Sequence, residues 1–268
     1  MTTPGAGLLK IALVQTELVW EDPGANLGHF TELLASEVSS TDTDLVVLPE
    51  MFTTGFSMSS AQFAEPMSGD TVSWMKSKSQ QGGYAIGGSV MMQERGNFYN
   101  RFILCHPDAE IITYDKKHLF RMSTEHDHYS AGARRVGFSL NDFQICPQIC
   151  YDLRFPVWSR HRGDYDVLLY VANWPSARRS HWLSLLRARA IENQCYVVGV
   201  NRVGADKNLS YSGDSIVYDF HGETLLDLKN ETCVGHVTLD QLALNDYRQS
   251  FPVWKDADNF DFIEDLPD

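Results

Sequence analysis

Val167-Leu-Leu-Tyr-Val-Ala172 runs without a break into Asn173-Trp174-Pro175. A strand with one wetted face alternates apolar and polar side chains, so a run without polar interruption predicts a strand covered on both faces. Reading outward, short runs rich in Val and Ile recur at 11–15, 45–48, 84–90, 102–105, 111–114, 143–149, 196–200 and 215–218. Helical periodicity separates several of them. The stretch 26–39 carries Leu27, Phe30, Leu33 and Leu34, and 180–194 carries Trp182, Leu185, Leu186 and Ala190, with Ser180 as its expected N-cap. This alternation predicts an α/β protein with helices packed on sheet. Turn sequences at Glu94-Arg-Gly-Asn97, His106-Pro-Asp-Ala109 and Phe220-His-Gly-Glu223 predict hairpins, so mixed sheets are expected rather than a doubly wound parallel one. No linker or repeat interrupts the pattern, and one domain over 1–268 is expected. The acidic end, 256–268, reads as a solvated tail docked by Phe260 and Phe262.

Composition narrows the function. The chain has 268 residues, 43% of them hydrophobic and 21% charged, which is globular usage rather than that of a disordered chain. Its 22 Lys+Arg stand against 35 Asp+Glu, a net charge of −13 that opposes nucleic acid and anionic membranes as general partners. A small anionic substrate stays open, because a few arginines reverse the sign locally within a Debye length of about 8 Å. The start lacks a basic region followed by an apolar core, so no secretory signal is expected. The odd count of 5 cysteines suits reduced thiols in the cytoplasm. Cys146 and Cys150, on one extended run, stand ~13 Å apart and cannot pair.

Several runs end in a polar residue: 45–48 into Glu50, 111–114 into Asp115-Lys116, 143–149 into Cys150, 167–172 into Asn173-Trp174, and 196–200 into Asn201-Arg202. In open α/β sheets ligands bind beyond the carboxyl ends of the strands, so parallel, adjacent strands would converge these groups on one pocket. Cys150 by default is buried filler; at a sharp strand-to-helix turn it is a nucleophile whose oxyanion backbone N–H groups can hold. Pro147 is a tension in that strand, because central strands resist proline. Glu50 by default is a surface carboxylate and beside Cys150 a base. Lys116 by default is solvated; near a thiol its ammonium lowers the thiol pKa and holds an oxyanion. His126-Asp-His128 lacks ligand spacing, and no phosphate loop or Gly-x-Ser-x-Gly elbow occurs, so no metal or other cofactor is expected.

Leu48-Pro-Glu50, Asp115-Lys116-Lys-His118-Leu-Phe120 and Cys150-Tyr-Asp-Leu-Arg154-Phe-Pro, at intervals of 66 and 34 residues, together resemble the nitrilase superfamily of carbon–nitrogen hydrolases. The resemblance implies a four-layer α-β-β-α sandwich and a catalytic Glu-Lys-Cys triad on Glu50, Lys116 and Cys150. It also implies a supporting carboxylate at Glu125, an oxyanion contact from the Tyr151 backbone and a homodimer. Glu50-Met-Phe-Thr-Thr-Gly-Phe56, Ala172-Asn-Trp-Pro175, His181-Trp182 and the stretch 187–194 are similar to the bacterial ω-amidase branch, which hydrolyses 2-oxoglutaramate. That branch implies an amidase acting on ω-amides of small dicarboxylates; nitriles and N-carbamoyl amines are the alternatives for the same triad, and a non-catalytic binding protein on this scaffold is the alternative from another class. Such an amide carries a carboxylate remote from the reacting carbon, and burying it without a cation would cost several kcal/mol. Trp174 is expected to wall the site. Among Arg154, Arg178 and Arg202, the carboxylate is expected on Arg202, which ends a strand, with help from Arg178.

Overall fold

The computed structural model describes residues 7–38 and 43–261. Strands β1 (Leu8–Gln15), β2 (Leu45–Val47), β3 (Ala85–Glu94), β4 (Asn97–Cys105) and β5 (Ile111–Asp115) lie in one sheet. A second sheet holds β6 (Phe138–Leu140), β7 (Phe143–Ile149), β8 (Val167–Ala172) and β9 (Tyr196–Asn201). After a small hairpin of β10 (Val203–Ala205) and β11 (Ser210–Ser212), β12 (Ile216–Tyr218) and β13 (Thr224–Asp227) complete that second sheet. The chain then returns to the first sheet as β14 (Cys233–Asp240), antiparallel to β1 from Leu8↔Asp240 to Gln15↔Cys233. Each sheet has six strands, ordered β14-β1-β2-β3-β4-β5 and β13-β12-β9-β8-β7-β6, and both are mixed. The three turn sequences fall between β3 and β4, β4 and β5, and β12 and β13.

The helices are α1 (Pro23–Glu37), α2 (Ser60–Phe63), α3 (Asp70–Gly82), α4 (Glu125–His128), α5 (Pro156–Ser159), α6 (Arg179–Asn193) and α7 (Gln241–Ser250). The strand alternation assigns the layers. On β8, Val167, Leu169 and Val171 face the other sheet, while Leu168, Tyr170 and Ala172 face Trp182, Leu186 and Ala190 of α6. On β2, Leu45 and Val47 join the central core and Val46 joins an outer one with Phe30 and Leu34 of α1 and Val72 and Met75 of α3. The result is helix, sheet, sheet, helix, as the resemblance implied.

Some local expectations change. The second long helix has its N-cap at Arg178 rather than Ser180, and no side chain caps it. A tight turn over Ser176–Arg178, closed by the Arg178 N–H on the Pro175 carbonyl, feeds directly into α6 and takes the cap's place. The first long helix begins earlier, at Pro23 behind an Asp22 cap; Ser39, its expected last residue, lies outside the described residues. Pro147 is accommodated because β6 pairs with β7 only as far as Ile145, leaving one edge of β7 without a partner strand at Pro147. In the tail, Phe260 receives Arg162 on its carbonyl and over its ring, and Phe262 lies outside the described residues.

The contact between α6 and its sheet rests on Gly199. A Cβ there would come within 2.6 Å of Leu186 Cδ1 and 2.9 Å of Trp182 Cζ2. Gly199→Val should lower the unfolding free energy by ~1–3 kcal/mol, the usual cost of overpacking, with little change in denaturant m-value. An unchanged denaturation midpoint would mean that α6 does not seat this closely.

Candidate active site

Glu50 follows β2, Lys116 follows β5 and Cys150 follows β7. β2 and β5 run the same way through the first sheet, so Glu50 and Lys116 emerge at one end of it. Cys150 comes from the facing sheet. The strands are therefore not all adjacent in one parallel sheet, yet their ends meet across the sandwich.

Lys116 Nζ donates to Glu50 Oε1 at 2.9 Å and to Glu125 Oε1 and Oε2 at 2.9 and 3.1 Å. All three side chains are buried. Asn100 Nδ2 donates to Glu50 Oε1 at 2.8 Å, and the Asn173 backbone N–H donates to Glu50 Oε2 at 2.8 Å. Asn173 also donates its side-chain amide to the Glu50 carbonyl. The Glu50 carboxylate is thus fixed from three sides. Gly132 lets the following chain press on this point: its N–H bonds the Lys116 carbonyl at 2.8 Å, and a Cβ there would stand 2.1 Å from the Asp115 carbonyl oxygen.

Cys150 sits on a bend at φ 44°, in the left-handed region that residues with a Cβ rarely adopt. The bend sets Cys150 in the lining of one pocket with Glu50 and Lys116. Burial, and then the Glu50 charge, push this thiol well above its ordinary range, and Lys116 opposes them only partly. Burial works against the Lys116 charge, but Glu125 and Glu50 outweigh it and hold the ammonium charged. Burial, against Lys116, raises the proton affinity of Glu125. The free site therefore holds a protonated thiol beside a base, with a fixed cation at their side. Such an arrangement can activate a nucleophile at the moment of attack.

The pocket above the thiol is small, about 70 Å³. Phe56, Phe120, Tyr151, Trp174, Pro175 and Leu209 supply its apolar walls, and Arg154 and Arg178 also line it. Arg154 lies over the Trp174 ring at 4.7 Å, with Nη2 3.2 Å from His181 Nδ1. Arg178 lies over Phe120 at 5.4 Å. Among the described residues neither guanidinium pairs with a carboxylate. Arg154 does not ion-pair with Asp152, whose oxygens are taken by Tyr114, His118 and the Ile149 N–H.

Arg202 is the main departure from expectation. It is buried outside the pocket lining and donates to the carbonyls of Val203, Leu18 and Ala205 while stacking on Tyr211 at 4.5 Å. Its place at the end of β9 fixed the backbone, but the side chain turns back to hold the β10–β11 hairpin. The neighbouring Asn201 side chain likewise braces the pocket loop, accepting from the Trp174 N–H and donating to the Trp174 carbonyl. Asn100 was not anticipated. Its signal was a buried amide in the middle of a strand, between Tyr99 and Arg101. Among the described residues no group of three His, Cys, Asp or Glu side chains is placed to hold a metal.

A family model described as carbon-nitrogen hydrolase matches residues 10–249. The omega-amidase YafV of Escherichia coli K12 is 49% identical over 255 residues, 94% of this chain and 98% of that protein. A 2-oxoglutaramate amidase of Bacillus subtilis is 32% identical over 251 residues, covering 92% and 96%. Among solved structures, a CN-hydrolase superfamily protein of Xanthomonas campestris with an arsenic adduct in its active site superposes with a TM-score of 0.92 at 43% identity. The match covers 95% of this chain and 99% of that one.

Accessibility sorts the thiols. All 5 cysteines are free; Cys105, Cys146 and Cys195 are buried, and Cys150 and Cys233 are half-buried. Burial pushes Cys105 up to about 11 and Cys146 up to about 12. Iodoacetamide near neutral pH should label Cys150, with Glu50 taking its proton as it reacts, and Cys233 in the native protein, and spare the other three until it unfolds, as peptide mass spectrometry would show. Early labelling of Cys146 would contradict the packing behind the bend.

Proposed function

The chain belongs to the carbon-nitrogen hydrolase family, and on that premise we propose that it is an ω-amidase, hydrolysing the terminal amide of small dicarboxylate monoamides such as 2-oxoglutaramate. The observation that carries this reading is the joining of two features in one small pocket. One is a thiol beside a base and a fixed ammonium; the other is a pair of guanidiniums that no carboxylate of the described residues neutralises. The relatives named omega-amidase and 2-oxoglutaramate amidase support the same substrate class.

In this mechanism Glu50 takes the thiol proton as Cys150 Sγ attacks the amide carbon. The carbonyl oxygen becomes an oxyanion held by the Lys116 ammonium and the Tyr151 backbone N–H. As the tetrahedral adduct collapses, Glu50 returns the proton to the departing nitrogen and ammonia leaves a thioester on Cys150. Glu50 next removes a proton from water, the hydroxyl adds to the thioester carbon, and collapse releases the acid and the thiol. Glu125 keeps Lys116 charged and in place throughout. The acid–base role contributes roughly 10²–10⁴-fold, and each oxyanion contact ~10²–10³-fold. Asn100 and the Asn173 N–H hold Glu50 in the orientation that both halves of the reaction use.

We assign the remote carboxylate to Arg178 with Arg154, in place of Arg202. Guanidinium presents the planar fork that a carboxylate matches. Trp174, which lies under Arg154 and bonds the Arg178 carbonyl through its indole N–H, fixes the two cations relative to the wall. Five free thiols suit a reducing compartment, and we place the enzyme in the cytoplasm. We further propose a homodimer, as the family resemblance implies, which light scattering would test.

Cys150→Ala should abolish ammonia release from glutaramate; more than a few per cent of residual turnover would refute the nucleophile assignment. Arg178→Ala should cut kcat/KM for a carboxylate-bearing amide by ~10²-fold, while a neutral amide of equal length barely changes. An equal loss on both would show that Arg178 supports the pocket rather than the carboxylate. Faster turnover of an aliphatic nitrile or an N-carbamoyl amino acid than of glutaramate would overturn the substrate class.

A further inference from the structure

Besides Glu50 and Glu125, the chain carries a carboxylate close to the nucleophile that the mechanism does not use. Asp152 is fully buried, two residues after Cys150, and it does not line the pocket. Its two oxygens receive four hydrogen bonds. Oδ2 accepts from the Ile149 N–H at 3.0 Å and from Tyr114 Oη at 2.7 Å. Oδ1 accepts from the His118 N–H at 2.9 Å and lies 2.8 Å from His118 Nδ1.

The origin of these partners is the informative part. Ile149 is the residue before the nucleophile, at the end of β7 in the second sheet. Tyr114 and His118 lie two residues before and two residues after Lys116, at the end of β5 in the first sheet. One carboxylate therefore grips both segments that carry the reacting thiol and the oxyanion cation, across the gap between the sheets. The grip is itself supported. Trp158 Nε1 donates to Tyr114 Oη at 3.0 Å, and the His118 ring stacks on Phe155 with centroids 3.8 Å apart.

We propose that Asp152 is a positioning residue, setting the distance and orientation of Cys150 relative to Lys116. The proposal rests on the catalytic roles assigned above to those two residues. The left-handed bend at Cys150 is a strained conformation that surrounding contacts must hold, and the Ile149 N–H bond to Asp152 is made at the residue that enters it. The Lys116 segment is held to the same anchor on either side of the lysine. Glu50 also bridges the two sheets, through Lys116 Nζ and the Asn173 N–H, but Asp152 is the group that ties the backbone at Ile149 to the backbone at His118. Displacing reacting groups by about 1 Å costs ~10²-fold in rate, so the effect belongs in kcat rather than in substrate binding.

Asp152→Asn keeps the shape and removes the charge. It should lower kcat by about 10²-fold with KM within about threefold of wild type. Tyr114→Phe, which removes a single hydroxyl, should give a smaller loss of the same kind and retain the fold even if the asparagine variant fails to fold. In the double variant the Tyr114→Phe change should add little, because both act through one carboxylate. Iodoacetamide alkylation of Cys150 should slow in each single variant, a readout that needs no amide. Alkylation at the wild-type rate in Tyr114→Phe, a rise in KM that accounts for the lost kcat/KM, or full additivity in the double variant would overturn the positioning role. Retained turnover in Cys150→Ala would instead sink the catalytic reading on which it rests.

Discussion

A buried ammonium governs the arrangement. Lys116 is almost wholly withdrawn from water, and a lone charge so placed would cost several kcal/mol or lose its proton. It keeps its charge because two carboxylates meet it, Glu50 from behind β2 and Glu125 from α4. Each of them must then be satisfied in turn, which draws in Asn100 from β4 and the Asn173 N–H from the end of β8. The polar groups of the site thus form one connected set, and removing any member leaves a buried partner unpaired. Such a set rigidifies its surroundings more than its pairwise energies suggest.

The two-sheet sandwich is what makes this economical. The central core between the sheets is apolar from Leu9 to Val217, so the polar cluster is confined to one end of it. There the strand ends of both sheets open toward the same volume, and loops of moderate length suffice to bring residues far apart in sequence together. Glu50 and Asn173, 123 residues apart, share two hydrogen bonds.

Much of this was legible in the chain. The unbroken apolar run of β8 announced a strand covered on both faces, because no other environment tolerates six such residues in extended backbone. The three catalytic candidates were legible as polar residues directly after apolar runs, and their order and spacing gave the family resemblance. What stayed hidden were properties set by side-chain direction. The position of Arg202 predicted where its backbone ends but not that its guanidinium turns inward to three carbonyls. Asn100 and Asp152 were hidden for a related reason: their partners are distant in sequence, and an isolated buried amide or carboxylate has no local pattern. Helix α3 carries Thr71 and Ser79 on its buried face, which blurs the periodicity that would reveal it. Strand β14 mixes Gly, His and Thr with its apolar residues as an edge strand can.

The pairing of β1 with β14 carries a consequence for how the molecule is made. Strand β1 is hydrogen-bonded on one side to a strand from residues 233–240, and the Gln15 amide reaches the carbonyls of Leu228, Lys229 and Glu231. During synthesis β1 has its β2 neighbour early, but its other edge stays open until residues 233–240 have left the ribosome. An unpaired apolar edge in a growing chain is a template for the wrong strand. Completion of this sheet thus waits for a segment more than 200 residues further along the chain, and contacts of such sequence separation form slowly. A chain cut short before residue 233 leaves β1 with an open edge at the side of the sandwich, so premature termination yields a sticky intermediate rather than a smaller enzyme.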